Sequence, residues 1–454
     1  MISRTINRDL TRAPANEIDP KEYAELFLRR KFNHADGLTL RFFRGAYWSW
    51  HDHRWNEIPT EQVRAQVALY LGDRFSKVTC TTINNVMEFV RALTITPEAT
   101  EMPSWLDGRA GYSIAFSNGI ASMEDLISET PNCLRPHSPA WFSSIVLPYE
   151  YQPEASCDIW MDMLVKNLEY DCERGDLLQE FAGYCLLHST EFHKMLMMTG
   201  DGGNGKSCAL AGITGMLGAD NVSSLTLDEL AEKFKLPRIV GKLANICADM
   251  PDTSRTCEGT LKKLVSGDPL EFERKYQPPF KAVSTAKLIF STNTLPQFYD
   301  RSSGLWRRMI IMPFNRRVTE EEKVTGMDSP EWWMKKGEMP GIFMWALRGL
   351  RRLRRDGSFT ESAACNTAVA EHRLECNTAL SWLTSEYEKS EFGEVEKTAM
   401  YNEYAEHCRR TGRKPLGDVQ FFKEVRKAFG TLKEDRRRQG LNRIRVLIGI
   451  DRAA

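Results

Sequence analysis

Between His193 and Thr199 the chain carries a short apolar run, HKMLMMT, followed by Gly200, Asp201, Gly202, Gly203, Asn204, Gly205, Lys206 and Ser207, and then by the helical segment CALAGITGMLG. Strand, GxxxxGKS loop and helix in that order make a phosphate cradle. The glycines let the loop fold back so that consecutive backbone N–H groups point at one place, and the helix turns its positive end to the same place. In such a cradle the lysine bridges the terminal phosphates of a nucleoside triphosphate and the hydroxyl ligates Mg2+. Lys206 and Ser207 take those parts, with ATP and Mg2+ as the expected cofactors.

Hydrolysis needs a carboxylate at the end of a neighbouring buried strand. Lys242–Ala248 (KLANICA) ends at Asp249, which is expected to hold the metal and position the attacking water; Asp252 is a helper or a turn residue. A second apolar run, Ala286–Ser291, delivers Asn293, an amide suited to sensing the last phosphate or orienting water. Next, Asp300 begins a segment that reaches Arg307 and Arg308 just before a third run, MIIMPF. An arginine pair at the mouth of a buried strand either reaches the nucleotide of a neighbouring copy or is neutralised by Asp300 or another acid.

The elements that must position these groups are those of an α/β protein, a P-loop core on a parallel sheet, with an α+β N-terminal domain and a C-terminal winged-helix domain. The expected boundaries are 1–150, 151–315 for the core, 316–390 for a helical region and 391–454. In the first part, Phe42, Tyr47, Trp48, Trp50 and Trp55 crowd around Gly45 as a hairpin with an aromatic face; His51, Asp52 and His53 form a turn. Helical spacing from Cys157 to Leu187 is interrupted by Gly175 and Asp176, which predicts two helices. A helix over Ile342–Leu353 stops at Gly357, and helical spacing resumes from Glu361 to Lys389. The closing segment reads helix, helix, basic strand, with turns at Gly430 and Gly440.

The 454 residues are 42% hydrophobic and 27% charged, which suits a multi-domain globular chain and excludes disorder and a disulfide scaffold. Eleven cysteines without a CxxC pair are thiols of a reducing compartment. The start, MISRTINRDLTR, has no apolar leader core, and no run approaches a membrane span, so the expected location is cytoplasmic, in a bacterial host, with no membrane partner. Lys and Arg total 61, as do Asp and Glu, so nucleic-acid binding must come from local patches. Arg348, Arg351, Arg352, Arg354 and Arg355 make one such run, and Arg436, Arg437, Arg438, Arg443 and Arg445 another; either is a DNA contact or a solvated face.

Between the acid and the asparagine lies GTLKKLVSGDPLEFERKYQPPFKAVSTAKLIFSTN. Leu270, Phe272 and Tyr276 share one parity there, and Glu271, Glu273 and Lys275 the other, which predicts a hairpin with a packed and a charged face, its first strand stopped by Pro278 and Pro279. This segment, with the GxxxxGKS loop, the single acid, the strand-end asparagine and the Arg-Arg pair, resembles superfamily 3 helicases, and among them the phage, plasmid and poxvirus primase-helicase group. PSWL, FSNG and YNEYAEHCRRTGRKPLGDVQFFKEV extend the resemblance over most of the chain.

The resemblance implies an AAA+-like fold and a replicative DNA helicase that forms a ring, expected to be a homohexamer, and translocates 3′ to 5′ on single-stranded and forked DNA, with a primase or other replication protein as a further partner. It places Arg274 and Lys275 in the ring's channel, on DNA phosphates; a surface hairpin with Lys275 paired to Glu273 is the other use. Many relatives carry a glutamate or an acidic pair where Asp249 is followed by Met250, which leaves open whether Asp249 binds metal or activates water. A primase domain is not expected, since about 150 residues precede the core and no paired-acid motif stands among them. An ATP-dependent initiator or loading protein that assembles on DNA without processive unwinding is the alternative, and a small-molecule kinase a distant third.

Overall fold

Five strands form a parallel sheet, in the order Val222–Ser223, Ala244–Cys247, Lys287–Thr292, Met195–Thr199, Met309–Pro313. The structure is a computed structural model that describes residues 19–250, 257–275, 278–299, 303–439 and 442–453. Residues 1–18, Asp252, Tyr276, Asp300 and Gly440 lie outside them.

The period of two along each strand sorts side chains to opposite faces. Leu196, Met198, Ile289, Ile310 and Met312 join one core with residues of the helices Asp158–Asn167, Cys172–Tyr184, Lys206–Leu217 and Met339–Asp356. Met195, Met197, Leu288, Phe290, Met309 and Ile311 join the other with Leu261, Leu264 and Phe272. Both faces are covered, which is why the central strands Met195–Thr199, Lys287–Thr292 and Met309–Pro313 read as mainly apolar runs. All five point their C-terminal ends to one edge, so the loops that leave them share a rim.

Two helices of the first layer meet at backbone distance. A Cβ on Gly349 would stand 2.4 Å from the Gln179 carbonyl oxygen, and one on Gly183 would stand 2.3 Å from that of Ala346. The break expected at Gly175 and Asp176 is absent, since both lie within Cys172–Tyr184. It falls at 168–171, where Glu169 and Tyr170 take left-handed φ of 57° and 61° and Asp171 caps the next helix by accepting the Arg174 N–H. A side-chain cap fixes a helix start, whereas one glycine inside a packed helix costs about 1 kcal/mol.

In the N-terminal part, an antiparallel sheet of Leu40–Phe43, Ala46–His51 and Arg54–Ile58 packs with three helices around Phe27, Tyr47 and Val67. Its two turns put Arg44 and Gly45, then Asp52 and His53, at positive φ, the conformation that two-residue hairpin turns require. At the other end, Trp382, Tyr404, Phe421, Leu447 and Ile450 form a separate core. There the helices Lys397–Arg410 and Asp418–Phe429 pack with a sheet ordered Tyr387–Glu396, Asn442–Arg452, Lys433–Gln439. The helical spacing expected from Glu361 to Lys389 divides at Asn377, which caps Thr378–Glu386 by accepting the Leu380 N–H, and it gives way to strand at Tyr387.

Candidate functional site

Gly200, Gly202, Gly203 and Gly205 all sit at positive φ, between 64° and 153°. Two of them have no room for a side chain: a Cβ on Gly200 would stand 2.0 Å from Asn204 Nδ2, and one on Gly205 2.0 Å from Asn167 Nδ2. Gly205 starts the helix Lys206–Leu217 with no side-chain cap, so its first N–H groups stay open to a ligand. The loop is anchored from the next strand end. Asn204 Nδ2 donates to the Phe314 carbonyl at 2.7 Å, Phe314 N to Thr199 O at 2.8 Å and Val318 N to Gly203 O at 2.8 Å. Arg174, buried and paired with Asp171, reaches the Pro313 carbonyl at 2.8 Å and fixes the same corner.

Lys206 is buried, and its ammonium donates to Gly200 O at 2.6 Å, Asn204 Oδ1 at 3.1 Å and Asn293 Oδ1 at 3.2 Å. Burial lowers its pKa, and Asp201 opposes that. A cavity of about 910 Å³ gathers Gly202, Gly203, Asn204, Gly205, Lys206, Ser207, Asp249 and Asn293. These are the loop and two neighbouring strand ends, brought to one rim by the parallel sheet. Asp249 is exposed there. Asp201 lines a smaller cavity of about 330 Å³ beside it, with Arg317 and Lys323.

Arg307 and Arg308 stand elsewhere, at the start of Met309–Pro313 and so at the opposite edge of the sheet. At about 3.3 Å per residue, a five-residue strand separates the two edges by some 16 Å. Arg308 donates to Ser266 Oγ at 2.7 and 3.0 Å and to the Gly304 carbonyl, so a hydroxyl and a carbonyl engage it. Arg307 is exposed, with no ion pair among the described residues.

The hairpin forms, Leu270–Phe272 against Phe280–Ala282, with Phe272 fully buried. Glu273 pairs with Lys233 at 2.5 Å, leaving Lys275 exposed with its ammonium 6.0 Å from the Phe234 ring. Arg274 does not stand free: it donates to Glu57 of the N-terminal sheet at 3.1 Å and lies 5.0 Å over the Phe280 ring.

Sequence reasoning missed Asn167 and Arg316, which also line the large cavity. Arg316 pairs with Glu322 and contacts Asn167 Oδ1 at 3.4 Å. Its only signal was a basic residue just beyond a buried strand, and Asn167 gave none.

Residues 198–308 match a family of unknown function, DUF5906, and residues 376–443 match the RFX DNA-binding domain. A protein of Acanthamoeba polyphaga mimivirus, provisionally named a helicase, is 23% identical over 245 residues, which take in 52% of this chain and 24% of that protein. The match thus spans about a quarter of the length of that relative. Two apo structures of the NrS-1 C-terminal region are similar in fold, 13% and 12% identical, each with a TM-score of 0.52 over 95% of this chain and 100% of theirs. Among the described residues, no helix is long and apolar enough to cross a membrane.

Proposed function

We propose that this chain is an ATP-driven DNA helicase of viral or mobile-element replication, with a P-loop core of the superfamily 3 kind and a C-terminal winged-helix DNA-binding domain. The observation that carries the reading is the single cavity in which Lys206, Ser207, Asp249 and Asn293 meet at the C-terminal rim of a parallel sheet. Its volume lies within the usual range for small-molecule sites, roughly 300–1,000 Å³. The mimivirus relative and the RFX match support the DNA side.

The residues present suit a nucleoside triphosphate with Mg2+. Side-chain-free turns at Gly200 and Gly205 let backbone N–H groups approach phosphate, and the uncapped helix start adds its dipole. Lys206 would exchange its carbonyl and amide acceptors for phosphate oxygens. Ser207 and Asp249 would hold the metal, which when bound offsets the negative charge gathering on the phosphates. Asn293, already hydrogen-bonded to Lys206, links that exchange to the strand Lys287–Thr292.

Arg307 and Arg308, out of reach of their own cavity, suit contact with the nucleotide of an adjacent copy in a ring. Lys275 suits a DNA phosphate, and Arg274 does so only after leaving Glu57. Strand separation on a forked duplex tests the reading. Wild type with ATP and Mg2+ is expected to unwind it, whereas Asp249→Asn and wild type with a non-hydrolysable analogue are not. DNA binding by wild type that needs ATP but never separates strands would favour an initiator or loading protein.

A further inference from the structure

Arg316 is a cation in the nucleotide cavity to which the sequence assigned no task. It emerges three residues past Met309–Pro313, on the segment tied to the glycine loop by Asn204 Nδ2 donating to the Phe314 carbonyl and Val318 N donating to the Gly203 carbonyl. One arm of its guanidinium reaches Asn167 Oδ1, and Asn167 is the buried amide against which Gly205 packs. The other arm pairs with Glu322.

Glu322 is held in place independently of the arginine. Its second oxygen accepts from Thr319 N and Thr319 Oγ1, both at 3.1 Å, and Thr319 with Glu322 closes a turn of the capping-box kind. Glu322, Arg316, Lys206 and Ser207 line the same cavity. A carboxylate on the wall of a phosphate site repels the ligand unless its charge is occupied, and here it pairs with Arg316, the arginine that lines this cavity among the described residues. The Thr319 N–H and then Arg316 keep the Glu322 carboxyl below its ordinary pKa, so it is a carboxylate at neutral pH.

We propose that Arg316 binds the polyphosphate of the chain's own nucleotide, and that Glu322 holds it in reserve until phosphate takes it away. The inference rests on the nucleotide reading above. No bond is made or broken: the guanidinium exchanges one anionic partner for another, which an arginine fork does with little reorganisation.

The test is the affinity of the full chain for a fluorescent ATP analogue with Mg2+, in wild type, Lys206→Ala, Arg316→Ala, Glu322→Gln and the Arg316→Ala/Glu322→Gln pair. Arg316→Ala is expected to weaken binding roughly 10- to 100-fold, the value of a charge-assisted contact. Glu322→Gln, which frees the arginine and removes a repelling charge, is expected to tighten it several-fold. Most of that gain should vanish in the double variant. A merely structural ion pair moves both single variants the same way, since either one loosens the 314–322 segment; that result overturns the inference. If wild type binds and Lys206→Ala does not, yet Arg316→Ala binds as wild type, the inference alone falls. A wild type that binds no nucleotide overturns both.

Discussion

Lys206 and Lys287 are both buried lysines, and what faces the ammonium separates them. Lys206 opens on a cavity, with three acceptors that a ligand can replace. Lys287 begins the neighbouring strand, donates to the Leu187 carbonyl and lies 4.8 Å from the Tyr184 ring. Burial pushes its pKa from 10.5 down to about 7, with Cys185 and Glu191 opposing. In the unfolded chain Lys287 keeps its proton to about 10.5, so between pH 7 and 10.5 the unfolded state binds more protons and stability rises with pH. Thermal unfolding of wild type and Lys287→Met across that window should show wild type gaining on the variant as pH rises. Parallel curves would mean that Lys287 stays protonated in the fold. Nothing in AKLIFS announced this lysine, because only the packing of residues 184–187 beneath the strand buries it. Lys206, Ser207, Asp249 and Asn293 were legible because each follows an apolar run, and a parallel sheet sends all such ends to one rim. The Arg316–Asn167 contact joins positions 149 apart in sequence and could be read only from the fold.

Among the elements, the helix pair Cys172–Tyr184 and Met339–Asp356 decides how the first layer packs beside the sheet. The crossing at Gly183 and Gly349 leaves no space for a methyl group, and the opposing atoms are backbone, which cannot rotate away. Gly349→Ala is therefore expected to lose about 1–3 kcal/mol in denaturant unfolding, the usual cost of overpacking. A midpoint equal to wild type would show that the helices slide apart freely. The C-terminal end of the second helix was legible from Gly357, which takes a left-handed cap at φ 70°. The strand Tyr387–Glu396 was not, since its burial is irregular and its partner, Asn442–Arg452, lies some 55 residues on.

At the scale of the molecule, the two arginine runs divide. Arg351 pairs with Glu129, Arg352 with Asp176 and Glu180, and Arg354 with Glu191, so these three clamp their helix to neighbouring segments, while Arg355 pairs with Asp356 on the helix itself. The sequence could not show this, because most of those acids lie 160 or more positions away. In the C-terminal ribbon, Arg436 faces Arg445 and Arg438 faces Arg443 across the strands, all four exposed and without ion pairs among the described residues. Like charges directly opposite one another destabilise a ribbon, and an anionic partner relieves them. Replacing these four by Ser is expected to weaken DNA binding and flatten its salt dependence, by up to ~0.9 in log–log slope for each duplex phosphate that is no longer neutralised. An unchanged slope would move the DNA-binding surface elsewhere, with Lys275 next.

The most direct measurement is ATP hydrolysis by wild type and Lys206→Ala, with and without single-stranded DNA, alongside their thermal unfolding. The expected result is turnover that DNA stimulates in wild type, background turnover in the variant, and nearly equal unfolding temperatures, since the Lys206 ammonium faces a cavity rather than the core. Wild-type turnover by a folded Lys206→Ala protein would contradict the assignment of this cavity as the ATP site.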